Sequence, residues 1–314
     1  MKNIIIGCPY TGMNFLEKEL KSFSGVNCIN TNDITGIDLS RIYTKNNKYF
    51  FNTIHSVFVR YPYDIISPHS QTYNLRENTE YLKTISLLLS NKNINPIQST
   101  WAYRNRLLSL NLADKIGLKI PKSIITRNLH NCKNFYNRKL TPISKAIGNC
   151  FVSDKNIHFS GSKSKYFSSA EDGGEQAIVY LAQKMTINDL KKYLHINNII
   201  FLQKKIGNII KEFRVYLIGE KIFVFSRLNV LGKIDKSEEL YVPDNFSAKH
   251  DRIKVKLFKL KKKMKLGYLC LDVLETKNDL IVIDINPLGS LPPYKQYPFV
   301  TRELAKLLIS FNGH

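Results

Sequence analysis

"GYLCLDVLETKNDLIVIDINPLGS", residues 267–290, is the stretch on which the reading of this chain turns. Two apolar runs flank a polar turn. The second run passes into Asp284, Ile285 and Asn286 before Pro287 and Gly289 end it. Side chains on a strand alternate between faces. With Lys277–Asp279 as a three-residue loop, Asp272 lies opposite Asp284, and Asn286, two residues on, shares its side. Leu271, Val273, Ile283 and Ile285 then point the other way. A slip of one residue would part the carboxylates. Like charges this close repel unless something positive lies between them. Mg²⁺ suits the donor set, because it takes carboxylate and amide oxygens and leaves positions open for phosphate. Pairing of each aspartate with a nearby lysine would satisfy them as well, and the pattern alone leaves both readings open.

Upstream, "KEFRVYLIGEKIFVFSRL" reads as a hairpin turning at Gly219-Glu220. Residues 253–266 carry Ile253, Leu257, Leu260 and Met264 at helical spacing. Their lysines fall on the other faces, which reads as an amphipathic helix with a solvated basic side. In "RNRLLSLNLADKIGLKIPKSIITRN", Leu107, Leu110, Ala113 and Ile116 repeat as on a helix. Gly117 stops it and Pro121 opens an extended segment. Residues 138–210 read as a strand, a Ser/Gly-rich loop around Gly161–Gly174, a strand, a helix capped by Thr186 or Asn188, and the strand "IIFLQ".

The N-terminal part gives a strand "NIIIGC", a helix with Phe15, Leu16, Leu20 and Phe23 on one stripe, a strand "VNCINT" and a strand "HSVFVRYPY". That order predicts a small parallel α/β unit. "RYPYD", Arg60–Asp64, falls at the edge where such sheets bind ligands. Arg60 there is either a contact to an anionic substrate or a surface arginine.

Composition sets the outer bounds. The chain has 314 residues, 43% of them apolar, enough for a core shared by two or three units. No window approaches the ~18–20 consecutive apolar residues of a membrane span, so no membrane partner is expected. "MKNIIIGCPYTGMNF" reads as a strand and loop, not a signal peptide. The five cysteines are odd in number, with no CxxC, and read as free thiols of a reducing cytoplasm. A net charge of +22 calls for a polyanionic partner: nucleic acid, nucleotide phosphate or acidic peptide. The enrichment in Asn, Ile and Lys would also produce it without one.

Taken together, "GYLCLDVL…LIVIDINPLGS" resembles the Mg²⁺-binding end of the ATP-grasp superfamily. "FLQKKIGNIIKEFRVYLIGEKIFVFSR" resembles its adenine hinge and the hairpin that follows, and "LLSLNLADKIGLKIPKSIITRN" its entry to the central domain. "IVYLAQKMTINDLKKY…IIFLQKKI" is most similar to the branch that modifies ribosomally made peptides, the graspetide (microviridin-type) ligases. Ribosomal-protein glutamate ligases come next. The resemblance implies an α/β (α+β) fold: an N-terminal α/β domain over 1–100, a central subdomain over 101–200 and a C-terminal subdomain with the Mg²⁺ site over 201–314.

The resemblance also implies site residues. Lys145 would reach the ATP phosphates, with Lys122 and Lys139 as alternatives. Gln203, Lys204, Lys205 and Ile206 would meet adenine, and Glu212 would face the nucleotide. Arg214 and Arg227 would stabilise the γ-phosphate and an acyl-phosphate, and Asp272, Asp284 and Asn286 would hold Mg²⁺. Phosphoryl transfer is mostly positioning and charge stabilisation, which suits these residue types. The implied activity is an ADP-forming ligase making C–N or C–O bonds. Its substrate would be an acidic peptide or small carboxylate, and a homodimer is compatible with it. Inositol-phosphate-type kinases and a non-catalytic nucleic-acid binder are the rival readings. The second leaves two facing carboxylates without a purpose, so nucleic acid is disfavoured. One departure is Asp284, where the family more often has the longer Glu.

Overall fold

A computed structural model describes residues 1–7, 13–59, 65–66, 80–81, 83–136, 142–145, 151–152, 165–167, 177–179, 183–184, 186–197, 199–227, 241–246, 252–289, 291 and 297–313. Arg60–Asp64, Lys139, Cys8, Cys150 and most of the Gly161–Gly174 loop lie outside them, as do the side chains of Lys145 and Arg227.

The N-terminal part is a parallel sheet, as its strand–helix–strand pattern requires. Strand β1 (Lys2–Gly7) lies between β2 (Val26–Asn30) and β6 (Ile54–Val59), parallel to both. Helix α1 (Met13–Lys21) buries Met13, Leu16 and Leu20 against it. Phe15 is 39% exposed and does not join that stripe. It stands next to Leu16 in sequence, one helical step of about 100° away, and Met13 takes the core position expected for it. Between β2 and β6 the chain inserts a small antiparallel sheet that the sequence reading missed: β3 (Ile34–Ile37), β4 (Arg41–Thr44) and β5 (Lys48–Phe50).

After α2 (helical residues 83–88), the chain forms α3 (Ile97–Arg104) and α4 (Arg106–Lys115). The break between them is Asn105. Its backbone is extended, and its side chain accepts the N–H groups of Leu107 and Leu108, which caps α4. Leu110 and Ala113 of α4 are buried. Leu107 is 39% exposed and lies one helical step from Arg106, whose side chain faces the sheet from the same turn. Gly117 ends the helix at φ +83°, a conformation glycine adopts without strain.

The next sheet joins β8 (Ser123–Thr126), β14 (Ile200–Lys204), β9 (Pro142–Lys145) and β13 (Gln183–Lys184). Short strands β7 (Ile65–Ile66), β10 (Phe151–Val152), β11 (Lys165–Phe167) and β12 (Ala177–Val179) pair outside it. Helices α5 (Leu129–Tyr136) and α6 (Ile187–Asn197) pack on the four-stranded sheet through Cys132, Leu190, Ile200 and Leu202.

The C-terminal sheet carries the carboxylates. Its order is β17 (Tyr241–Asp244), β16 (Lys221–Arg227), β15 (Ile209–Ile218), β18 (Tyr268–Thr276) and β19 (Leu280–Asn286), antiparallel throughout. Alternation sends Phe213, Val215, Leu217, Leu269, Leu271 and Val273 to one face. They bury against α4 and the Ile253, Leu257, Leu260 and Met264 stripe of α7 (Arg252–Lys263) and the turn after it. Each such side chain, fully buried, contributes roughly 1.5–3 kcal/mol before entropy is subtracted. On the opposite face, Tyr216, Ile218, Phe225, Tyr268 and Cys270 share a core with β1, α1 and α8 (Pro298–Ser310). The N-terminal sheet is thereby seated under one end of the carboxylate strands.

Candidate active site

The turn between β18 and β19 spans Lys277–Asp279. Next to it, Glu275 pairs with Leu280 and Val273 with Val282. The register then slips by one residue, so that Asp272 pairs with Asp284. Ile283 is the extra residue of this β-bulge. Without the slip Asp284 would face Leu271. The expected opposition of the two aspartates is present, but the bulge produces it together with the loop. The core side of β19 changes accordingly. Val282 is fully buried and Ile285 nearly so, whereas Ile283, expected in the core, is only half-buried.

Across the sheet, Asp272 also pairs with Arg214 of β15. Arg214 Nε lies 3.4 Å from Asp272 Oδ1 and donates to Cys270 Sγ at 3.3 Å. Arg214 thus pairs with the aspartate in its own rung. Burial pushes the Cys270 thiol up to about 11. Asp284 has its own guanidinium, which the sequence reading missed. Arg106 donates from Nε to Oδ1 at 2.8 Å and from Nη2 to Oδ2 at 3.4 Å. Arg106 is the first residue of α4, placed there by the Asn105 cap. The four charged groups Arg106, Asp284, Asp272 and Arg214 form one half-buried row, with side-chain exposures of 15% to 25%. Where the sequence pattern suggests lysines as neutralisers of the two aspartates, the structure has arginines.

Asn286 pairs with Cys270, two residues from Asp284. Its Oδ1 accepts the Leu288 N–H at 2.9 Å, which closes the turn after β19 and leaves one lone pair of that oxygen. Gly289 follows because nothing larger fits: a Cβ there would lie 2.4 Å from Cys270 Cβ. Asn95, buried and outside every sequence motif, fixes this corner. Its Nδ2 donates to the carbonyls of Tyr268 (2.9 Å) and Pro287 (2.8 Å), and its Oδ1 accepts the Tyr268 N–H at 2.9 Å. Tyr268 O–H donates to Gly289 O at 2.7 Å.

The remaining expected residues occupy the neighbouring rungs and the junction of the two sheets. Glu212 pairs with Arg227 on β16 and with Leu274 on β18, two rungs beyond Arg214. Gln203 is buried in β14, where its Nε2 donates to Ser123 Oγ at 3.4 Å. Its side chain is therefore engaged inside the four-stranded sheet. The Lys204 N–H donates to Lys122 O at 2.8 Å, which puts Lys122 beside the strand end. Lys205 is exposed and Ile206 half-buried in the link from β14 to β15, which ends at Asn208 with φ 52°. Lys145 is the last residue of β9 and pairs with Phe201.

Chemically, the row offers two carboxylates and an amide oxygen within two rungs, a donor set suited to a hard divalent cation. Among the described residues no group of three or more His, Cys, Asp or Glu forms a denser cluster. Among them too, no helix is long and apolar enough to cross a membrane.

No protein-family model and no curated protein matches the chain. Solved structures do. The macrocyclase MdnC from Microcystis aeruginosa, bound with its precursor peptide MdnA, is 19% identical over 99% of this chain and 100% of its own, with a TM-score of 0.73. A RiPP-associated ATP-grasp ligase from Chryseobacterium gregarium, in complex with ADP and a leader and core peptide, is 16% identical over 98% and 97%, with a TM-score of 0.69. D-alanyl-alanine synthetase A from Vibrio cholerae is 10% identical over 99% of both chains, with a TM-score of 0.58. At these identities the likeness speaks for architecture, and from end to end the chain has the α/β ATP-grasp fold.

Proposed function

We propose that the chain is an ATP-dependent ligase that joins a carboxylate to an amine or hydroxyl through an acyl-phosphate, acting on a ribosomally made peptide. The observation that carries this reading is the Asp272–Asp284 pair, flanked by Arg214, on the C-terminal sheet of an ATP-grasp fold. Asp272, Asp284 and Asn286 would hold Mg²⁺, which when bound neutralises phosphate charge. Lys145, the Gln203–Ile206 segment and Glu212 would hold ATP. Gln203 would contribute through its backbone, since its amide already serves Ser123.

Arg214 and Arg227 lie on neighbouring strands of one hairpin, and a guanidinium is a planar cationic donor suited to a transferring phosphoryl group. A substrate carboxylate oxygen attacks the γ-phosphorus and ADP leaves. The amine or hydroxyl then attacks the acyl carbon, loses its proton, and phosphate leaves. The arginines stabilise charge in both steps and no enzyme nucleophile is needed. The 1–100, 101–200 and 201–314 division would set three units around this site. The net charge of +22 and the acid-free basic run on α7 favour an acidic peptide as substrate.

Incubation with ATP, Mg²⁺ and candidate acidic peptides, followed by mass spectrometry, tests the reading. Loss of one water per bond formed supports cross-linking, and gain of whole amino acids means residue addition. Phosphate retained on the product means a kinase instead.

A further inference from the structure

We infer that Asn95 is a positioning residue for the metal site: it sets the direction in which Asn286 offers its amide oxygen. This rests on the metal reading of Asp272, Asp284 and Asn286.

Asn95 lies just ahead of α3 and is 2% exposed. Its partners leave its amide one orientation. Nδ2 donates to the carbonyls of Tyr268 at 2.9 Å and Pro287 at 2.8 Å, and Oδ1 accepts the Tyr268 N–H at 2.9 Å. A flipped amide would set its oxygen against both carbonyls. Two of these bonds tie the amide to the backbone of β18. The third reaches across to the turn after β19.

That third bond acts through one rigid unit. The Pro287 carbonyl and the Leu288 N–H belong to the same planar trans peptide, so they point in opposite directions and turn together. The proline ring fixes φ of Pro287, which leaves ψ as the rotation that turns this peptide. The buried side chain of Leu288 sets where the peptide sits, and Asn95 sets which way it turns. The Leu288 N–H donates to Asn286 Oδ1 at 2.9 Å. That bond takes one lone pair of the oxygen and fixes the direction of the other, the one a cation would use.

The relay therefore runs from the Tyr268 backbone through Asn95 and one peptide to the Asn286 oxygen, two residues past Asp284. Asn95 carries no charge, and Asp272 and Asp284 are held opposite each other by their own strand register. Removing Asn95 frees the Pro287–Leu288 peptide to rotate, and Asn286 follows it. Loss of a group that orients a metal ligand typically costs about 10–100-fold in metal affinity.

The test is a double-mutant cycle on Mn²⁺ binding to the full chain with ADP present, read from the electron paramagnetic resonance of free Mn²⁺. Asn95→Ala should weaken Mn²⁺ binding about tenfold. Asn286→Ala should weaken it at least as much, and the double variant no further than Asn286→Ala alone. Ile42→Ala, in the buried core of the N-terminal part, should lose stability and keep its Mn²⁺ affinity. Where Asn95→Ala does not fold, Asn95→Ser, whose single hydroxyl cannot serve both carbonyls, should shift affinity in the same direction. Unchanged affinity in the Asn95 variant, or losses that add in the double variant, overturns the inference. If Asn286→Ala binds Mn²⁺ as the unaltered chain does while Asp272→Asn does not, the inference falls and the carboxylates remain as metal ligands. If the unaltered chain binds no Mn²⁺ with ADP present, the metal reading falls and the inference with it. A second readout follows the relay itself. Hydrogen exchange at the Leu288 N–H should speed up in the Asn95 variant and not in Ile42→Ala, and an unchanged rate in the Asn95 variant overturns the inference.

Discussion

Asp284 stands across from Asp272 because the strand pairing slips by one residue at Ile283. A carboxylate pair with an arginine on either side is thereby built across the last two strands, β18 and β19, of an antiparallel sheet. The geometry makes each aspartate separately testable. Asp272→Asn and Asp284→Asn keep size and shape and remove one charge each. ATP-dependent product formation should fall about 10²-fold or more in either variant, the scale seen when one electrostatic stabiliser is lost. Circular dichroism should stay unchanged. Steady-state ADP release with the peptide substrate checks it.

Gly289 folds back over Cys270, where a Cβ would approach to 2.4 Å of backbone-fixed Cys270 Cβ. Gly289→Ala should destabilise the chain by about 1–3 kcal/mol, the usual cost of overpacking. Urea denaturation should show a lower midpoint with an unchanged slope.

Asn95 serves two carbonyls and one N–H of the β18 and Pro287 segments, all within the interior. Asn95→Ala leaves these groups unpaired at about 1–3 kcal/mol each when water cannot reach them. A loss of that size in thermal or chemical denaturation is expected. Hydrogen exchange at Tyr268 should speed up before the rest of β18.

Burial pushes the Cys28 thiol up to about 12 and the Cys270 thiol up to about 11. Both values lie above those of unfolded cysteine, near 8.5. The resulting stabilisation is full below that value and is lost as pH rises through the folded-state values. Stability should decline between about pH 9 and 11, as melting temperatures across that range would show. Iodoacetamide at pH 8 should leave both thiols unmodified in the folded chain, and peptide mapping would detect it.

Much of this arrangement could be read from local pattern. The Gly219 hairpin and the α7 stripe of Ile253, Leu257, Leu260 and Met264 follow from periodicity and turn residues, and the Asp272–Asp284 opposition is the one that a three-residue loop predicts, although the slip at Ile283 is needed to produce it. The bulge did not show, because Ile283 is as apolar as the core residues beside it. Nor did Arg106, which lies 178 residues from its partner in a segment read for its leucines. Only the folded sheet brings helix start and strand end together. Asn95 was silent for the same reason, its partners being 173 and 192 residues away. The β3–β5 sheet escaped because its strands have three or four residues, too few to establish alternation.

Titrating the full chain with ADP in the presence of Mg²⁺, by calorimetry, tests the central claim most directly. The expected result is one nucleotide per chain, weakened at least about tenfold in both Asp272→Asn and Asp284→Asn. Asp279→Asn, in the turn of the same hairpin, should bind as the unaltered chain does. Equal affinity in Asp272→Asn, Asp284→Asn and the unaltered chain would contradict the claim that these facing carboxylates hold a metal–nucleotide complex.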